Sequence, residues 1–138
     1  MRNIPKPKKG TGSIKRDEIR KLKVKLQTIF NKYIVLRDKE CITCSSSNFL
    51  QASHYFSVHG CPSVRYDEEN AHAQCGKCHM EVHNKGGYKY AMAMLNKYGV
   101  ERMDALLKRA HIQSNYSKEW LEQKINEYKA KINAINAS

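Results

Sequence analysis

From Asp17 onward, apolar residues recur at alternating steps of three and four: Ile19, Leu22, Leu26, Ile29, Tyr33 and Leu36. That period predicts an amphipathic helix over residues 17–40, with Arg20, Lys21, Lys23 and Lys25 on its polar face. Before it, Met1 to Arg16 has no apolar period and carries Pro5, Pro7, Gly10 and Gly12 among Lys6, Lys8, Lys9, Lys15 and Arg16, so residues 1–16 read as a flexible basic arm. In the middle of the chain, Leu50–Ser57 and Ser63–Tyr66 read as two strands around a His59-Gly60-Cys61-Pro62 turn, with a helix after Cys75. Past Gly86-Gly87, the pattern predicts helices over Tyr88–Tyr98 and Val100–Ala110, interrupted at Gly99. A last helix runs from Lys118 to about Ile135 behind Ser117 as N-cap, with Leu121, Ile125, Tyr128, Ile132 and Ile135 at four-three spacing. The first and last helices therefore each offer an apolar seam, which either close on one another or meet a second copy of the chain.

Charge narrows the partners. Lys and Arg number 25 against 13 Asp and Glu, a formal charge of +12 in 138 residues, which attracts a polyanion and makes nucleic acid the leading partner. The chain has no apolar run near the ~20 residues that cross a bilayer and no apolar leader, so it reads as soluble and intracellular, with no membrane role. In a reducing compartment, five cysteines with paired spacing argue for metal rather than disulfides. Cys41-Ile42-Thr43-Cys44 and Cys75-Gly76-Lys77-Cys78, separated by thirty residues, can each supply one edge of a tetrahedral thiolate zinc site. Cys61 falls outside that spacing and reads as a small buried hydrophobe.

Between and behind the two cysteine pairs lie His54, then Asn70, then His79 and His83. Phosphodiester hydrolysis needs a base to activate water and a cation to stabilise charge on the phosphate and the leaving oxygen, and imidazoles with a metal provide both. A helix starting near Cys78 places His79 and His83 one turn apart, where both can reach one divalent ion, leaving His54 as general base. Asn70 suits a bracing role through side-chain to backbone hydrogen bonds that hold the loop and hence His54. His59, His72 and His111 read as structural, although His72, two residues after Asn70, is near enough in sequence to reach a phosphate. Arg65 and Lys77 lie near the proposed site, and Lys15 and Arg16 lie in the arm; these are the candidate phosphate contacts.

The segment Cys41–His83 resembles an HNH nuclease of the zinc-knuckle kind, in which the middle Asn precedes the second C-x-x-C. More closely, Ala52-Ser53-His54-Tyr55, Arg65-Tyr66-Asp67-Glu68-Glu69-Asn70, Gln74-Cys75 and Tyr98-Gly99-Val100-Glu101-Arg102 resemble the NinG/Rap recombination proteins of lambda-like phages, from the first helix to the last. The resemblance implies an α+β fold: a zinc-stabilised ββα-metal core, treble-clef-like, over residues 41–87, flanked by the N-terminal helix and by a C-terminal helical region over residues 88–138. It also implies a structure-selective endonuclease for branched recombination intermediates such as Holliday junctions and D-loops, acting in the cytoplasm of a bacterial host. The metals implied are a structural Zn2+ and a catalytic Mg2+ or Mn2+. Two positions depart from the pattern: Ser53 stands where many HNH enzymes carry an acid or a second His, and His79 stands where family members also carry Asn, which leaves a softer transition ion open as the catalytic metal. Resolving a four-way junction takes two nicks, so a homodimer on DNA is expected. A noncatalytic zinc module binding nucleic acid or protein, and a sequence-specific homing or restriction-type HNH nuclease, remain the alternative readings.

Overall fold

Two antiparallel strands, β1 (Leu50–His54) and β2 (Ala71–Cys75), pair with Leu50 opposite Cys75, Ser53 opposite His72 and His54 opposite Ala71. Around them pack α1 (Thr11–Asp38), α2 (Gly76–Lys85), α3 (Tyr88–Tyr98), α4 (Val100–Ala110) and α5 (Lys118–Asn136), giving a mixed α+β fold. The structure is a computed structural model and describes residues 5, 6 and 10–138, apart from the side chain of His83. Of the expected arm, residues 1–4 and 7–9, including Lys8 and Lys9, lie outside the described residues. Its last part is not an arm: Thr11 to Arg16 already belong to α1, which starts directly after Gly10. Ile14 and Lys15 are good enough helix formers to extend the helix backward without burying anything, and a search for apolar period alone misses such turns.

The second strand is not where apolar alternation put it. Ser63–Tyr66 is no strand; Pro62–Val64 forms a short 3-10 turn, with Arg65 N–H donating to the Pro62 carbonyl at 3.2 Å. Proline at its start presets φ for a turn and cannot donate to a ladder. β2 instead runs through Ala71-His72-Ala73-Gln74-Cys75, buried at all five positions, so neither face shows polar alternation. Its outer edge is sealed by the end of α1 and the first cysteine turn: Arg37 donates to the Ala71 carbonyl at 2.8 Å, Asp38 Oδ2 accepts from Ala73 N–H at 2.8 Å, and Ile42 N–H donates to the Ala73 carbonyl at 2.9 Å. No edge is left open there. β1 is also shorter than expected, ending at His54 rather than Ser57.

The strands separate two apolar clusters. On one face, Leu26, Phe30 and Ile34 of α1 join Ala71, Tyr66 and the α5 residues Leu121, Ile125 and Tyr128. Phe30 and Ile34 lie off the expected stripe because α1 is covered on two sides, by the sheet and by α5, so the buried sector is wider than one seam. The α1 and α5 seams thus close on each other within the chain, which removes the seams as the material for a dimer. On the other face, Gln74 of β2, Cys78 and Val82 of α2 and Tyr90 of α3 line one small cavity, and Tyr90 and Met94 pack with Val64, Leu106 and Ala110. Gly99, at φ 82, makes the break between α3 and α4 that an L side chain would resist. Ser117 caps α5 by accepting from Trp120 N–H at 3.1 Å.

Candidate functional site

The four knuckle cysteines converge. Cys41 and Cys44 sit in the turn after α1, Cys75 ends β2, and Cys78 lies in the first turn of α2, with all four Sγ atoms within 4.8 Å of one another. The Cys44 and Cys75 sulfurs are 3.6 Å apart, close to the ~3.8 Å edge of a tetrahedron with Zn–S bonds of ~2.3 Å. The cysteines are free thiols. Burial raises the Cys41 pKa, but backbone N–H groups of Cys75, Cys44 and Thr43 directed at its sulfur outweigh this and bring it down to about 7. Four sulfurs at this spacing, with amides that favour thiolate at Cys41, fit a structural metal such as zinc, held at the Leu50–Cys75 end of the sheet. Cys61 stays apart from this group and packs against the Val64–Tyr90 cluster.

At the other end of the sheet, His54 is the last residue of β1. Its Nε2 lies 3.0 Å from the Arg65 carbonyl and 3.4 Å from Gln27 Nε2 of α1, and its ring is 6.1 Å from that of Phe30. Burial holds its pKa below the usual value, aided by the nearby Arg65 charge and opposed by the carbonyl bond. A ring nitrogen facing a carbonyl must carry the proton, so the neutral imidazole keeps its lone pair on Nδ1. Such a ring can accept a proton from water.

Asn70 ties the loop that presents this carbonyl. Its Oδ1 accepts from Phe56 N–H at 2.8 Å, and its Nδ2 donates to the carbonyls of Phe56 and Val64, both at 3.1 Å. The acidic run just before it is anchored from three sides: Arg109 reaches Asp67 at 2.7 Å, Arg102 reaches Glu69 at 2.8 Å, and Lys131 and Tyr128 reach Glu68 at 2.9 and 3.0 Å. Those carboxylates serve the loop, and their arginine partners lie too far off in sequence for spacing to have paired them. Gln27 is a further residue that no period singled out; its Oε1 accepts from Arg65 Nε at 2.7 Å while its amide faces His54.

His54 and its neighbour Ser53 point to opposite faces of the sheet. Ser53 is buried on the side of His72, whose ring nitrogens meet the hydroxyls of Tyr90 at 3.0 Å and Tyr98 at 2.6 Å. Burial, with the charge of Arg37, pushes the His72 pKa down to about 3. This is a packing histidine, closed off from any phosphate. His79 follows Cys78 on α2 with its Nδ1 buried, and the side chain of His83 lies outside the described residues. Val82, on the turn between them, packs against the Val64–Tyr90 cluster, as Tyr55 and Phe56 do. Among the described residues, the four cysteines are the one group of three or more His, Cys, Asp or Glu gathered around a common point. Arg65 has no carboxylate partner among the described residues and stacks its guanidinium 5.3 Å from the Tyr66 ring centre. Lys77, Lys15 and Arg16 are exposed, the first on α2 and the others in the opening turns of α1. No helix among the described residues is long and apolar enough to cross a membrane.

Compared with known proteins, residues 6–137 match the family model described as the bacteriophage lambda NinG protein. The chain is 32% identical over 111 residues to protein ninG of Escherichia phage 933W, covering 76% of this chain and 51% of that protein. It is 30% identical over 97 residues to protein ninG of Escherichia phage lambda, covering 67% and 44%, and 31% identical over 85 residues to that of Salmonella phage P22, covering 58% and 41%. The chain thus spans about half the length of the curated relatives it matches. No solved structure matches.

Proposed function

This chain belongs to the NinG family, and from that premise we propose that it is an HNH-type, metal-dependent DNA endonuclease that cuts branched recombination intermediates such as Holliday junctions and D-loops. The observation that carries the reading is His54: a neutral imidazole at the end of a strand, fixed by the Arg65 carbonyl on a loop that Asn70 locks, in a sheet whose far end is clamped by four cysteines. In this reading His54 Nδ1 takes the proton as water attacks phosphorus. The bond to the leaving oxygen then breaks and that oxygen takes a proton from solvent, giving one phosphate and one hydroxyl end. His79 and His83 are proposed as the protein ligands of the catalytic Mg2+ or Mn2+, whose charge stabilises the phosphate and the leaving oxygen when bound. Arg65, adjacent to His54 and free of carboxylates, is the first phosphate contact; Lys77, Lys15 and Arg16 extend it. The branched substrate is supported by the family resemblance and by a diffuse positive charge in a sequence with no evident groove-reading motif.

The test is cleavage of matched linear, forked and four-way DNA with Mg2+, Mn2+ or Zn2+. Metal-dependent nicking concentrated at the branch is the expected result. Cutting one linear site with no branch preference would point to a sequence-specific nuclease, and binding without nicking under every metal to a noncatalytic module.

A further inference from the structure

Beside His54, on the face shared by α1 and the start of α5, aromatic rings and cations interleave. Tyr66, next to Arg65, meets Tyr116 edge-on at 5.2 Å and Trp120 at 6.0 Å, and Tyr116 and Trp120 lie 4.8 Å apart at 33°. Lysine ammoniums stand over these two half-buried rings: Lys23 is 5.9 Å from the Tyr116 ring centre and Lys124 is 5.7 Å from that of Trp120. Lys23 has no carboxylate partner among the described residues, and Lys124 has Glu127 at 3.0 Å. Arg16, Arg20, Lys23 and Gln27 follow one another on one face of α1 at steps of four, three and four, so a row of cations leads past the rings to Gln27 and His54.

We propose that Trp120 and Tyr116 form a seat for an unpaired nucleotide at a DNA branch, its base stacking on the rings and its flanking phosphates taken by Lys23, Arg65 and Lys124. This rests on the reading of the chain as a DNA-binding protein. An ammonium over a half-buried ring is held more weakly than a stacked base, and a displaced lysine on a flexible stem gains a phosphate in exchange. Fully paired duplex has no base to offer the seat. The difference between branched and linear DNA is then read by stacking at a point one ring away from Arg65, whose carbonyl holds His54.

Trp120 is the sole tryptophan of the chain, so its emission reports on the seat directly. The protein is titrated, without divalent ion, with a forked duplex and a four-way junction that each carry unpaired nucleotides at the branch, and with a flush-ended duplex of equal length, while anisotropy of labelled DNA follows binding. Saturable quenching by the fork and junction, absent with bound flush duplex, is expected, together with a loss of about tenfold or more in affinity for the fork in Trp120→Leu. Equal quenching by flush duplex, or none from a fork that anisotropy shows to be bound, overturns the seat, and the wild-type titration decides this even if the variant fails to fold. Failure of the seat and of the nuclease stay separable. Cleavage without quenching removes only the seat, whereas quenching without cleavage under any metal keeps it and removes the enzyme reading.

Discussion

His54 and His72 are both neutral histidines, but for different ends. His54 keeps one nitrogen for a carbonyl and, in the proposed reading, the other for chemistry, and its pKa lies below the ordinary value chiefly because of burial. A general base of this kind is active above its pKa, so the acidic limb of the pH–rate profile should fall below pH ~6.5. A midpoint above that value would contradict the environment described. His72 has both nitrogens engaged by tyrosine hydroxyls, and its folded pKa is about 3. The unfolded chain takes up this proton near pH ~6.5, whereas the folded chain refuses it until far lower. The contribution is therefore complete above ~6.5 and is lost as pH falls toward the folded value, at up to ~1.4 kcal/mol per pH unit. Denaturant midpoints between pH 7 and 4.5 should fall less steeply in His72→Gln than in wild type; equal slopes would place the acid sensitivity elsewhere. Both histidines sit on strands at similar spacing, and nothing in the sequence says which one faces α1 and which one faces two tyrosines.

The elements most legible in the sequence were those with a long period or a chemical signature. Helices α3, α4 and α5 fall where spacing, Gly99 and Ser117 put them, and the four cysteines close together as their paired spacing implied. What resisted was the middle. β2 is buried on both faces and built partly from alanines, so it has neither alternation nor β-branched residues to announce it, while the alternating Ser63–Tyr66 is a turn started by Pro62. Between the strands, Asn70 supplies the loop's fixed points. Asn70→Ala takes its partner from the Phe56 amide and carbonyl and one of two donors from the Val64 carbonyl, which keeps the Asp67 N–H, a loss of about 1–3 kcal/mol that urea denaturation would measure. A variant as stable as wild type would show that the loop has other means of support. Phe30, fully buried between the sheet and α5, sets the spacing of α1 from His54. Its change to Ala should cost ~3–5 kcal/mol.

For the molecule as a whole, the four-cysteine cluster takes the place of a core at one end of a thin two-stranded sheet. Cys41→Ser or Cys75→Ser should lower bound zinc from one per chain and melt the middle of the fold, as elemental analysis and circular dichroism can follow; a metal-free chain that melts cooperatively and ignores a strong chelator would refute the zinc role. Because α1 and α5 bury their seams on each other, the second active site that the proposed junction cleavage requires would come from a copy that meets the first elsewhere or only through DNA. Light scattering should give one chain in solution and two per junction; one chain making both nicks would exclude the paired arrangement. In the proposed reading, the net charge of +12 makes DNA binding weaken with salt, independently of His54. That independence permits the most direct test of the enzyme reading, in which wild type and His54→Ala, both zinc-loaded and folded, are compared on the same four-way junction with Mg2+ or Mn2+, for strand scission and for binding. The expected result is scission lowered by ~10²-fold or more with binding unchanged, and near-normal scission by the His54→Ala protein would contradict it.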